Sequence, residues 1–320
     1  MTLAVVLLVI VAGMLGIGFL LYTPDRPRAA LEAKYGVVPA DYVEAAGMRL
    51  YLREAGRERA PAVILLHGFA ASLGTWDAWV DALAAEFRVI RFDWPGFGLT
   101  GVDPTGDYTD ARSLDVLLAL MDRLGLARAS LVGGSMGGKL AWMFAAAHPA
   151  RVEKLVLISP DGFASAGFQY GQKPRIPWLL RALEFVLPRR VVRGSLRAAF
   201  ADPATLSDAL LERYRDFMLA PGVRRAMLAR LGQTVLEPPE ERLRAIAAPT
   251  LLLWGEEDRV IPMANAADYR RLISDLTFVP LPGVGHVPQE EAPERSLAAV
   301  QDFLGLGARF ASGGSRQALL

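Results

Sequence analysis

A chain of 320 residues with 52% hydrophobic side chains is long enough to bury a large core in one catalytic-size domain. Against 34 acidic side chains stand 35 basic ones, and a formal charge of +1 leaves no electrostatic footprint for nucleic acid. Cysteine is absent, which excludes disulfides, thiolate nucleophiles and cysteine-ligated zinc together without pointing to a compartment.

Residues 3–22 run without a charge, and as a helix they would cover about 30 Å, the thickness of a bilayer core. The expectation is a transmembrane anchor over residues 1–23, because the basic n-region and small-residue cleavage site of a removable signal peptide are missing. Arg26, Arg28 and Lys34 follow this stretch and no Lys or Arg precedes it, so the positive-inside rule expects a single-pass protein whose catalytic domain faces the cytoplasm. Residues 24–40, with Pro24, Pro27 and Pro39 around a short helical stretch, read as a juxtamembrane linker. Residues 41–45 and 49–54 flank Ala46-Gly47-Met48 in the manner of a β-hairpin.

Short apolar runs bounded by turn residues then predict buried strands at 62–66, 88–92, 130–132, 155–159, 250–254 and 277–281. Helical patterns lie between them at 75–86, 110–124, 136–148, 263–273 and 291–304. Such alternation implies an α/β domain with a mostly parallel sheet flanked by helices, and it places chemistry at the C-terminal ends of the strands. Residues 161–245 interrupt it with helical periodicity, scattered prolines and no convincing strand, and read as a helical cap between two core segments, 41–160 and 246–304. The tail from residue 305, with Gly313, Gly314 and Ser315, is expected to be disordered.

Gly133-Gly134-Ser135-Met136-Gly137 follows one of the predicted strands and opens a helical pattern, the strand–turn–helix setting of a G-x-S-x-G nucleophile. A serine hydroxyl is a weak nucleophile at neutral pH and needs a base, and the chain holds three histidines. His286 lies in a loop just past the last strand. His148 would sit about 18 Å along the helix from Ser135, too far to act as its base. His67, at a strand end before Gly68, reads as a brace for its loop. For the acid that orients the histidine, Asp258 directly follows the 250–254 strand and satisfies the order Ser, Asp, His; Glu256, Glu257 and Asp161 are the competing carboxylates.

Taken with His67-Gly68-Phe69 and Asp93-Trp94-Pro95-Gly96-Phe97-Gly98, these motifs resemble the α/β-hydrolase superfamily over residues 41–304. The resemblance implies an oxyanion hole built from the backbone N–H groups of Phe69 and Met136, with Asp93 and Gly96 shaping the neighbouring loop. Thr100 stands where that family often has serine. Ser135-Met136-Gly137-Gly138 and the cap placement are also similar to the meta-cleavage product hydrolases, which cut a carbon–carbon bond; Gly134 replaces their common asparagine and Val287 their common tryptophan. The expected activity is therefore that of a carboxylesterase acting through an acyl-enzyme on small to medium apolar substrates. Carbon–carbon hydrolysis is the alternative, and a non-catalytic ligand-binding role is the alternative from another class. No metal-ligand spacing, phosphate loop or dinucleotide fingerprint calls for a cofactor. Lys173, Arg175, Arg181, Arg189, Arg190, Arg193 and Arg197 make the first part of the cap basic and amphipathic, which fits either a solvated helix face or contact with a membrane surface.

Overall fold

The computed structural model describes residues 21–165 and 169–305. The expected anchor falls almost wholly on residues outside this range, as does the expected disordered tail apart from Gly305, which ends the last helix in a left-handed turn. Among the described residues no helix is long and apolar enough to cross a membrane.

Eight strands form one sheet: β1 (Tyr42–Ala45), β2 (Met48–Ala55), β3 (Ala62–Leu66), β4 (Arg88–Phe92), β5 (Ala129–Gly134), β6 (Val152–Ile158), β7 (Thr250–Gly255) and β8 (Leu276–Leu281). Their order is β1-β2-β4-β3-β5-β6-β7-β8; β1 and β2 are antiparallel to their neighbours, and the rest run parallel. The central strands are buried on both faces, and the period-two pleat sorts their side chains into two cores. Ile64, Leu66, Leu155, Leu157 and Trp254 fall into one; Val63, Leu65, Val156, Ile158 and Leu253 fall into the other.

In chain order the helices are α1 (Arg28–Lys34), α2 (Val80–Ala84), α3 (Asp110–Arg123), α4 (Met136–Ala147), then α5 (Trp178–Arg181), α6 (Arg189–Ala199), α7 (Asp208–Met218), α8 (Val223–Gln233) and α9 (Glu240–Arg244) between β6 and β7, and finally α10 (Ala266–Leu272), α11 (Pro288–Glu291) and α12 (Pro293–Leu304). Several differ from the periodicity. The stretch 75–86 is a 3-10 turn, Leu73–Trp79, running into α2. Residues 263–265 are likewise 3-10 before α10. The last helical pattern breaks at Pro293, whose missing N–H cannot continue α11. Strand β5 extends through Gly133 and Gly134, because backbone pairing with Leu157 and Ile158 carries the ladder past the last apolar side chain.

The helices between β6 and β7 have their own small core, in which Leu187, Val192, Leu196, Phe200 and Leu211 are buried. Residues 21–35 are bound to this layer. The Thr23 N–H donates to Phe185 O at 2.8 Å, and Arg224 donates to Thr23 O and to Asp25 at 2.8 and 2.7 Å. Asp216 of α7, with no exposed side-chain surface, collects Lys34 Nζ at 2.5 Å, the Tyr35 hydroxyl at 2.7 Å and the Arg26 guanidinium. On its other side α1 drops Leu31, 1% exposed, into the main core. Leu31→Ala should therefore cost about 2–5 kcal/mol of stability, measured by denaturant unfolding; a loss below 0.5 kcal/mol would mean that this segment is not part of the cooperative unit.

Candidate active site

Ser135 caps α4 with φ 54° and ψ −121°, a left-handed conformation that a side chain adopts only when its surroundings enforce it. Here the enforcement is explicit. Its N–H donates to Ile158 O at 2.9 Å, and its carbonyl accepts the N–H groups of Lys139 and Asp161 at 2.9 and 3.2 Å. A Cβ on Gly137 would stand 2.1 Å from Leu66 O, and one on Gly133 would stand 2.3 Å from Gly137 O, so no other residue lets the helix start this close to the strands. Gly134 is different: a Cβ there would meet nothing nearer than 3.9 Å.

The sheet order carries β7 and β8 to one side of β5, and their following loops bring Asp258 and His286 together. His286 Nδ1 lies 2.8 Å from Asp258 Oδ2, and both residues are buried. The other carboxylate oxygen accepts the N–H groups of Val260 and Ile261 at 2.8 and 2.9 Å. With its oxygens so engaged, the carboxylate holds the Nδ1–H tautomer and leaves Nε2 as the basic nitrogen. Glu256 and Glu257 of the same loop are exposed, while Asp161 accepts the Gly162 N–H and lies 4.0 Å from Lys139 Nζ. Gln289, three residues beyond His286, brings its amide nitrogen within 3.9 Å of the Cβ position of Gly134, so the histidine loop closes beside the serine turn.

The loop after β3 approaches from the opposite side: a Cβ on Gly68 would be 3.8 Å from Ser135 Oγ. Among the described residues neither the Phe69 N–H nor the Met136 N–H has a protein acceptor, as donors to an oxyanion require. His67 is fully buried. Its Nε2 accepts the Trp94 N–H at 3.0 Å and its Nδ1 donates to Gly68 O at 2.8 Å, so the ring pins this loop to the one after β4. Asp93 accepts the N–H groups of Leu73 and Leu99 at 2.7 and 2.8 Å, and Thr100 donates its hydroxyl to Asp93 O at 2.7 Å. Burial lowers His67 to about 4 and raises Asp93 to about 7. His148 ends α4 against the ring of Phe144, far from these groups.

Three contacts had no sequence signal. The His286 N–H donates to Ala199 O at 2.7 Å, at the end of α6. Glu291 accepts the Gly285 N–H at 2.6 Å and the Asp202 N–H at 2.8 Å, bridging the histidine loop to the cap. Beside it, buried Glu290 accepts the Tyr214 hydroxyl at 2.6 Å and pairs with Arg213 of α7, while its burial raises its pKa. A cavity of about 760 Å³ between α3, α4 and the 233–245 segment, walled by Leu114, Trp142 and Leu236, includes none of Ser135, Asp258 and His286.

A family model described as the alpha/beta hydrolase fold matches residues 61–293. The chain belongs to the α/β-hydrolase family. It is 33% identical to a 2-hydroxy-6-oxononadienedioate/2-hydroxy-6-oxononatrienedioate hydrolase of Paraburkholderia phymatum, over 78% of this chain and 88% of that one. It is also 33% identical to the dihydrolipoyllysine-residue acetyltransferase component of the acetoin cleaving system of Pseudomonas putida, over 82% of this chain and 68% of that one. Among solved structures, a bacterial membrane phospholipase A is similar at 29% identity and a TM-score of 0.71, covering 96% of this chain and 97% of that one.

Two outcomes follow from the geometry. Glu291→Gln puts an amide nitrogen against one of two backbone N–H groups, so it should cost about 1.5–3 kcal/mol of stability and lower kcat as the histidine loop loses its tie to Asp202; denaturant unfolding beside steady-state kinetics would check both. The second concerns pH. Folded Asp93 keeps its proton up to about 7 and an unfolded one loses it near 4, so its contribution to stability declines as pH rises through that window. Folded His67 takes a proton only below about 4 whereas an unfolded one does so below about 6.5, so its contribution declines as pH falls through the same window. The two oppose each other. His67→Gln leaves Asp93 unopposed, and its melting temperature should fall more steeply than the parent's between pH 4 and 7; parallel curves would contradict the neutral buried imidazole.

Proposed function

We propose that this α/β hydrolase cleaves a carboxylic ester with an apolar acyl chain, Ser135 attacking, His286 taking and returning the proton, and Asp258 orienting the imidazole. The observation that carries this reading is the buried His286–Asp258 pair, on a loop whose Gln289 reaches the turn that holds Ser135 at positive φ. Attack on the ester carbonyl forms the Ser135 Oγ–C bond and sends the hydroxyl proton to His286 Nε2. The tetrahedral oxyanion sits against the N–H groups of Phe69 and Met136; collapse expels the alcohol with the proton from His286, and water, deprotonated by the same nitrogen, releases the acid. Residues 3–22 tether the enzyme to a membrane with its catalytic domain on the cytoplasmic side, on the charge argument given above. The phospholipase likeness supports this reading, because it extends to 96% of the chain.

Carbon–carbon hydrolysis is the second reading, and the curated relatives back it more directly than they back ester cleavage. Besides the Paraburkholderia hydrolase, a 2-hydroxymuconate semialdehyde hydrolase of Pseudomonas putida is 31% identical over 81% of this chain. Against it stand two site positions: Gly134, which leaves its surroundings open, and Val287, which packs on the cap core. A panel of esters of graded acyl length, run beside a vinylogous diketone of the ring-cleavage type, separates the readings. Esters turned over with the diketone untouched would support the first, and the reverse preference would replace it with the second. Ser135→Ala should lower either activity at least about 10⁴-fold and abolish labelling by a fluorophosphonate probe; equal labelling of parent and variant would remove the serine mechanism and favour a binding role.

A further inference from the structure

The cap carries an apolar surface that its own core does not use. Trp178 is 81% exposed, Leu179 64% and Phe185 54%, and Leu180 and Val191 are exposed with them. Five large hydrophobic side chains are exposed within 14 residues, a density of apolar surface of the kind that marks an interaction site. Its setting is cationic. Arg189 and Arg193 are neutralised by Asp208 and Glu212, but Arg181, Arg190 and Arg197 are exposed and form no ion pair among the described residues. Along α6, positions 190, 191, 194 and 197 face outward while Val192, Leu196 and Ala199 are buried, so unpaired arginines and Val191 share one face.

The position of this patch is the second observation. Thr23 donates its N–H to Phe185 O at 2.8 Å and accepts the Leu187 N–H at 3.1 Å. The described chain begins two residues earlier with Leu21 and Tyr22, both exposed, and the sequence before them is uncharged back to Met1. Where that segment meets the domain, it meets the patch.

We infer that residues 178–191, with the outer face of α6, rest on the surface of an anionic lipid bilayer. The apolar side chains enter the interface and Arg181, Arg190 and Arg197 lie at the level of lipid phosphates. The inference rests on the reading of residues 3–22 as a membrane span, and it is independent of which bond the enzyme cleaves. A bilayer around that span comes up against Phe185 at once, because the chain is hydrogen-bonded there. The surface is amphipathic in the sense that lipid recognises, exposed apolar side chains flanked by basic ones, and it carries no unpaired acidic group among the described residues: Glu184 is tied to Arg225 at 2.6 Å.

The natural absence of cysteine makes the test direct. Single-cysteine variants of the full chain, Ile10→Cys, Leu179→Cys and Glu58→Cys, are labelled with an environment-sensitive fluorophore and reconstituted into vesicles of phosphatidylglycerol and phosphatidylcholine. Glu58 lies in the β2–β3 loop, at the end of the sheet opposite the cap. Quenching by brominated acyl chains is compared with quenching by aqueous iodide. The expected result is acyl-chain quenching at 10, headgroup-depth quenching at 179 with iodide access reduced at least threefold, and full iodide access at 58. Arg181→Glu with Arg190→Glu should return the label at 179 to iodide in phosphatidylglycerol vesicles. A label at 179 as open to iodide as that at 58, with 10 still quenched by lipid, overturns the inference and leaves the span standing. Shielding at 179 from both quenchers would mean that protein covers the patch, which also overturns it. Loss of acyl-chain quenching at 10 removes the span and the inference together, while the ester reading is judged separately by turnover of a soluble ester in detergent.

Discussion

A positive φ at a non-glycine residue costs about 1–3 kcal/mol, and the rest of the site is arranged around the one at Ser135. The turn lets α4 begin directly beside β3 and β5, with Ser135 at the C-terminal ends of the strands. It can persist because Gly133 and Gly137 let three backbones approach to distances that a single methyl group would forbid. Ile158 and Asp161, from the next strand and the loop behind it, secure both backbone groups of the serine. The strain is thus held by the most buried part of the sheet, where local unfolding is costliest.

The histidine is held differently. Its ring is fixed by Asp258, from the core, but its backbone N–H is bonded to Ala199 and its loop is tied through Glu291 to Asp202, both from the cap. Ser135 and His286 therefore depend on separate parts of the molecule, the first held by the buried sheet and the second by the core and the cap together. Arg213 and Tyr214 on Glu290 reinforce that docking at the next turn of chain.

How much of this could be read from the amino acids depends on the range of the interaction. The apolar runs, helical periods and hairpin signal are local, and they located all eight strands and the helices of the core except α11, with errors where a proline or a 3-10 turn altered the local geometry. The serine turn was legible because its glycines are adjacent in sequence, and Asp258 and His286 because strand ends supply few candidates. Phe69 and Met136 came from the family likeness alone. The cap-to-histidine contacts were not legible, since a backbone carbonyl at Ala199 and an acid at Glu291 look like any others until tertiary packing joins residues about 90 positions apart. Thr23, Asp25 and Arg26 likewise gave no sign of their partners on the cap; proline-rich composition suggested a linker where ion pairs to Asp216 and Arg224 make a docked strap.

That strap is anchored twice. Between Tyr22 and Leu31 the chain is fastened first to Phe185, Leu219, Arg224 and Asp216, all in the cap, and then to the core through Arg28, which donates to Leu99 O, and Leu31. The amino-terminal strap and the imidazole of His286 are thus fastened to the same layer of helices, the one at Phe185 and Leu219 and the other, through its backbone, at Ala199.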